Sequence, residues 1–321
     1  MKALHFLAAA LAAATVSGGA GAQTIGIIST QPGSHTHSSS TAVAKAISDK
    51  TGMQVRVQPQ GASPQYAIAA GTGDFGLSNS FDSVFFVTGT GEYEGEGPRP
   101  NIRIVGNLTP LFTTIFVKKD SPIKTVADLK GQRIPGGFNA QKTIARILSG
   151  MLATANLSYD SVRPVMAANI VNSADDFGSG KSDAFTFALG SAKVKEIDAK
   201  VGGLRALSFD PSPAAVARMQ KILPGAYTLP VKPAPALDGV LSEINAVAFD
   251  FLLNTNDKVS EEIVYKVTKA IYEGRDIIVA TFPALRTFDP AKMGAKNYPP
   301  LQYHPGAIKF YKEIGKWPPV G

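Results

Sequence analysis

No cysteine occurs in the 321 residues of the chain. That excludes disulfide staples, thiolate metal sites and cysteine nucleophiles, so the fold must stand on its apolar core. A chain of this length can do so, because a fold of its size buries about three quarters of its unfolded surface. Runs of one charge are also missing. Lys and Arg total 32 against 25 Asp and Glu, a net charge of +7, yet the basic residues are scattered, with no more than two in a row. Such a pattern does not form a nucleic-acid stripe. It suits a small anionic ligand, and it equally suits an ordinary exported surface.

Catalytic motifs are absent too. There is no G-x-S-x-G elbow. Gly178-Ser179-Gly180-Lys181-Ser182 imitates a phosphate loop, but Asp175 stands where that motif needs glycine. After Gly89-Thr90-Gly91, a dinucleotide fingerprint fails at Glu94. His35-x-His37 has chelating spacing, but the other His outside the leader is His304, near the C-terminus, and no third ligand is evident. The carboxylates form no pair that would serve as acid and base. No metal, cofactor or catalytic residue is expected.

What is present begins with the N-terminus. Met1-Lys2, the apolar run Leu4 to Val16 and the small residues Ala20-Gly21-Ala22 make a secretory signal peptide over 1–22, cleaved before Gln23. The run is shorter than the roughly 20 residues of a membrane helix. A soluble, periplasmic protein is expected, and loss of Lys2 lowers its charge by one.

The remaining chain alternates short apolar strands with amphipathic helices, an α/β pattern. Strands are expected at Thr24 to Ser29, Met53 to Gln58 and Phe75 to Ser78, with helices at Ser38 to Lys50 and Pro64 to Ala70 between them. This order implies parallel strands joined by right-handed crossovers. Ile102 to Asn107 and Leu111 to Lys118 read as two further strands. A second α/β unit opens at Gln132, with a helix from about Gln141 to Ala155 and strands at Ser161 to Met166 and Ala184 to Phe187. Leu223 to Gly239, with four prolines, reads as loop. Ile244 to Leu253 is a strand, and Ser260 to Glu273, Arg275 to Ala280 and Pro305 to Glu313 are helices.

Several local sequences resemble one family. His304-Pro305-Gly306-Ala307-Ile308-Lys309-Phe310-Tyr311-Lys312-Glu313-Ile314-Gly315 is similar to the closing HPGA segment of the TAXI group of TRAP-transporter solute-binding proteins, within the type II periplasmic binding protein class. Ser121 to Arg133, Gly180 to Phe185 and Val264 to Ala270 are similar to further stretches of that group. The resemblance implies an α/β fold of two lobes, each a mainly parallel sheet flanked by helices, joined by two hinge strands. Lobe I would take 23–113 and 250–321, and lobe II 114–249, with crossings near Phe112 to Phe116 and Ala248 to Leu252. It implies a monomer that captures a small carboxylate-bearing metabolite, such as a dicarboxylate or glutamate. The implied partners are TRAP membrane subunits, with a fused small–large subunit as one arrangement. A periplasmic sensor is an alternative, and so is an enzyme like the thiamine-pyrimidine synthases that share this fold. The enzyme reading requires a cofactor-attachment Lys or Cys/His chemistry that does not stand out.

Ligands of parallel α/β sheets bind beyond the carboxyl ends of strands. Four loops qualify here. The first supplies Thr30, Gln31, Ser34, His35, Thr36, His37 and Ser38, a crowd of donors at a positive helix end that suits a carboxylate. Family members carry a Gly-Gly-Thr-Tyr-Tyr-like stretch there, and Gly33 to His37 lacks the aromatic pair. The second supplies Asn79 and Ser80, with Asp82 as ligand contact or N-cap. The third, shorter than in the family, supplies Phe138, Asn139, Gln141 and Lys142, the last to neutralise a carboxylate. The fourth supplies Thr186, Phe187 and Ser191. Four or five charge-assisted contacts suffice for a micromolar site, about −8 kcal/mol.

Overall fold

The computed structural model describes residues 24–319, so the expected signal peptide lies outside the described residues. β1 (Thr24–Ser29), α1 (His35–Thr51), β2 (Gln54–Pro59), α2 (Pro64–Ala70), β3 (Phe75–Asn79) and α3 (Ser80–Thr88) come first. β1 pairs in parallel with β2 on one side and with β3 on the other. Its residues after Thr24 are all buried, as a strand covered on both faces requires, while β2 is the exposed edge. α1 stops where Gly52 takes φ 71°, a left-handed C-cap that a side chain would disfavour.

β4 (Ile102–Lys118) then runs 17 residues without a break. Two strands were expected, because Pro110 interrupts the run. The structure absorbs it with a bulge, since Thr109 faces Phe251 and Asn107 faces Leu252, leaving Leu108 as the extra residue. β5 (Arg133–Gly137), α4 (Lys142–Ala153), β6 (Arg163–Ala167), α5 (Ile170–Gly178), β7 (Phe185–Ala188), α6 (Ala192–Val201), β8 (Leu204–Ala206) and α7 (Pro213–Gln220) follow. β9 (Tyr227–Val231) then occupies a stretch expected to be loop. Among the described strands β9 pairs with one neighbour alone, so Pro230 costs no ladder bond on its open side.

β10 (Ile244–Asn256) is the second long strand and runs antiparallel to β4. Both exchange partners along their length. β10 pairs with β9 over Ile244 to Ala248 and with β3 over Phe251 to Thr255. β4 pairs with β7 from Thr113 to Phe116 and with β8 from Phe116 to Lys118. α8 (Glu261–Glu273), α9 (Arg275–Thr281), β11 (Gln302–Tyr303) and α10 (Pro305–Glu313) complete the order, with β11 on the Ile102 end of β4. This is an α/β fold flanked by helices, its sheets parallel at β1–β3 and at β5–β6 and antiparallel where the long β4 and β10 run through. The core divides into a large apolar cluster and a smaller one around Phe116, Phe177, Phe185 and Phe187. No described helix is long and apolar enough to cross a membrane.

Candidate functional site

The carboxyl ends of β1, β3 and β7 and the start of α4 converge on a cavity of about 90 Å³. Three helices begin there. At α1, Ser34 is the N-cap. Its Oγ accepts from the His37 amide at 3.1 Å and donates to the Gln31 carbonyl at 2.7 Å, while Thr30 Oγ1 lies 2.7 Å away. Such a cap stabilises a helix by about 1 kcal/mol. It leaves the amides of His35 and Thr36, the first of the helix, without intrahelical acceptors. α3 begins after Asn79 and α4 after Gln141, neither with a side-chain cap bond. The positive ends of three helices therefore face one small space.

His35 is the least ordinary group in the wall. It is 7 % exposed, and its ring meets those of Phe282 and Phe251 edge-on at 4.9 and 6.0 Å. Neither ring nitrogen has a hydrogen-bond partner. Burial depresses its pKa to about 4, against a small opposing pull from the Leu189 backbone, which the ring approaches without reaching hydrogen-bond geometry. The imidazole is neutral at pH 7.

The same lining holds a buried carboxylate. Asp82 Oδ1 accepts from Tyr93 Oη at 2.7 Å and Oδ2 accepts from Gln65 Nε2. Burial, and next the nearby Glu92, push its pKa up to about 7, against the pull of the Tyr93 and Gln65 bonds. Glu92 Oε1 has no hydrogen-bond partner, and Glu92 is one of the groups that raise the Asp82 pKa. The sequence held no visible acid pair; the fold makes one.

The expected site residues divide in two. Thr30, Ser34, His35 and Thr36, together with Asn79, Gln141, Thr186 and Phe187, line the cavity. The hydroxyl of Thr186 is spent on the Thr114 carbonyl at 3.0 Å, and Gln141 Oε1 accepts from the Ile170 amide at 3.0 Å, tying α4 to α5. The other eight lie outside the lining. Gln31 offers its carbonyl to the α1 cap. His37 Nδ1 meets Ser29 Oγ at 3.3 Å, and Ser38 Oγ bonds back to the Ser34 carbonyl. Ser80 is buried in the first turn of α3. Phe138 is fully buried with φ 51°, held there by its amide bond to the Ala167 carbonyl at 2.7 Å, so its ring packs in the interior instead of on a ligand. Asn139 is exposed, and Ser191 Oγ donates to the Ala188 carbonyl.

Lys142 requires a correction. Its ammonium pairs with Glu96 at 2.6 Å and does not line the cavity. One helical turn on, Arg146 pairs with Glu92 at 2.5 Å, and its guanidinium covers the Phe85 ring. The Lys193 amide donates to the Gly33 carbonyl at 3.1 Å. α4 and α6 are thus bound directly to the segments around α1 and α3.

Several lining residues were not anticipated. Gln65 Oε1 and Thr143 Oγ1 have no protein partner, although both residues are buried. Leu111, Ile144, Ile147, Ile170, Phe249 and Phe251 supply apolar wall. Ile144 and Ile147 stand three apart on one face of α4, a spacing legible as a helix stripe.

A family model described as the NMT1-like family matches residues 33–315. Among solved structures the chain is similar to the periplasmic binding protein BugD, at 12 % identity and TM-score 0.58, over 92 % of this chain and 95 % of that one. It is also similar to the alkanesulfonate-binding protein SsuA from Xanthomonas axonopodis pv. citri bound to MOPS, at 16 % identity and TM-score 0.51, over 92 % and 91 %. An ancestral arginine-binding protein bound to arginine matches at 16 % and TM-score 0.51, over 81 % and 97 %. These likenesses establish a periplasmic-binding-protein fold.

Proposed function

This chain belongs to the NMT1-like family, and we propose that it is an extracytoplasmic solute-binding protein that captures a small organic anion for a TRAP-type membrane transporter. The observation that carries the reading is the convergence of three helix N-termini, with an unpartnered buried His35, on one cavity. Free amides, helix dipoles and an imidazole donor make a carboxylate site without a fixed cation. The similar structures are binding proteins of the same fold, and two of them hold small charged ligands. The closing His304 to Gly315 segment supports the TRAP partner.

In this reading 23–113 with 250–321 and 114–249 are two lobes that close over the ligand. The exchange of strand partners at Thr113 on β4 and between Ala248 and Phe251 on β10 supports hinges there. The Lys142–Glu96 and Arg146–Glu92 pairs then bridge the lobes in the closed form. Only that form would present both lobes to the membrane subunits.

Thermal denaturation against a panel of carboxylates tests the proposal. An anion at a hundred times its Kd stabilises the protein by ~2.7 kcal/mol. Asn79→Ala should lower that affinity while leaving the unliganded midpoint within a few degrees. No shift with any anion overturns the reading.

A further inference from the structure

Resting on that reading, we infer that the cavity takes a single carboxylate carried on a compact apolar body, and that it rejects dicarboxylates and α-amino acids. One carboxylate is well served. The ends of α1, α3 and α4 each present roughly half a positive charge, and His35 and Thr143 add polar atoms that have no partner in the protein.

A second carboxylate finds nothing comparable. Among the described lining residues none is Lys or Arg. The cations beside the cavity are already committed: Lys142 to Glu96, Arg146 to Glu92, and Lys193 to Asp175 and Glu196. A buried charge left unpaired costs several kcal/mol, so a dianion would enter at a heavy loss.

An ammonium group is excluded for a different reason. Asp82 is the one carboxylate among the described lining residues. Both of its oxygens are occupied, by Tyr93 and by Gln65, and burial together with Glu92 disfavours its charged form. What remains is uncharged: Gln65 Oε1 and the Asn79 amide can accept hydrogen bonds but supply no counter-charge for an ammonium.

Much of the remaining wall is hydrocarbon, set among uncharged hydroxyl and amide side chains. Leu111, Ile144, Ile147, Ile170, Phe187 and Phe249 surround the space. Its volume of about 90 Å³ limits the ligand body to a compact one.

Titration calorimetry of the full chain discriminates, using isovalerate and benzoate against succinate, L-glutamate and L-valine. Isovalerate and L-valine differ only by the ammonium. We expect at least one of the two monoanions to bind tenfold or more tighter than succinate, glutamate and valine. Equal or tighter binding of any of those three overturns the inference while anion capture stands. Silence from every compound overturns both. Ile144→Ala supplies a second arm. It should weaken isovalerate by about tenfold or more, the effect of even one lost methylene contact, and leave acetate unchanged. Equal losses for the two acids would show that the wall makes no contact with the ligand body and would overturn the inference.

Discussion

His35→Phe removes about 3 kcal/mol of acid sensitivity, seen as the difference between the two proteins' unfolding free energies followed from pH 7 down to pH 4. The wild-type imidazole is buried and neutral, with its pKa depressed from 6.5 to about 4. A depressed histidine favours the fold above 6.5, and that contribution fades as pH falls from 6.5 through 4. Each tenfold loss of proton affinity on folding is worth about 1.4 kcal/mol, so a fall from 6.5 to about 4 comes to about 3 kcal/mol. Phenylalanine can take the place between Phe251 and Phe282, whose rings already meet His35 edge-on. It has no proton to take up. Urea denaturation at half-unit pH intervals measures both curves. Parallel curves would show that the imidazole finds water or a partner when charged.

The difference between proteins is the informative quantity, because Asp82 acts in the opposite direction. Its raised pKa means that the fold prefers the protonated acid. Its contribution is complete below the ordinary carboxylate value and is lost as pH rises towards about 7. In the wild type the two titrations partly cancel on acidification. The variant keeps Asp82, so the subtraction isolates His35. At pH 7 the same substitution also removes a donor from the cavity wall, so anion affinity should fall even where stability does not.

Local pattern carried much of the fold. The first β-α-β-α-β unit lies within a few residues of its expected bounds, and Pro305–Glu313 is a helix over the expected range. Such elements declare themselves through periodicity and caps within a dozen residues. What failed was non-local. Pro110 and Pro230 read as breaks, and the structure accommodates them only because of what pairs beside them: a bulge opposite β10 in one case, an open edge in the other. The site divides along the same line. Residues at the mouths of helices, such as Ser34, His35 and Asn79, follow from strand-to-helix order alone. Lys142 also sits at such a mouth, but its destination depends on Glu96, 46 residues away, and so was not legible. The Asp82–Glu92 pair likewise forms only after the chain turns back through Gly91 at φ 61°. Phe138 gave no sign of its left-handed backbone, since aromatic residues rarely adopt one.

Arg146→Met should weaken ligand binding by about a hundredfold while moving the unliganded melting midpoint little. The Glu92 side chain is 6 % exposed and that of Arg146 is 26 % exposed, so this pair is far drier than Lys142–Glu96, whose partners are 47 % and 23 % exposed. An exposed pair contributes ~0–1 kcal/mol. Removing one partner of a buried pair costs about 3–5 kcal/mol, because the remaining charge is stranded without water. In the proposed two-lobe arrangement Arg146 and Glu92 lie on opposite sides of the cleft, so the stranded charge has an escape. If the lobes part, Glu92 rehydrates. The penalty therefore falls on the closed state alone, and about 3 kcal/mol there corresponds to roughly a hundredfold in affinity. Adding Glu92→Gln removes the stranded charge and should recover most of the lost affinity. Calorimetry and small-angle scattering of liganded protein measure the two halves of the argument. A large fall in the unliganded midpoint with affinity intact would make the pair a structural tie within a single rigid body. Recovered affinity in the double variant, with wider liganded particles in the single one, would place the free energy of closure on this contact.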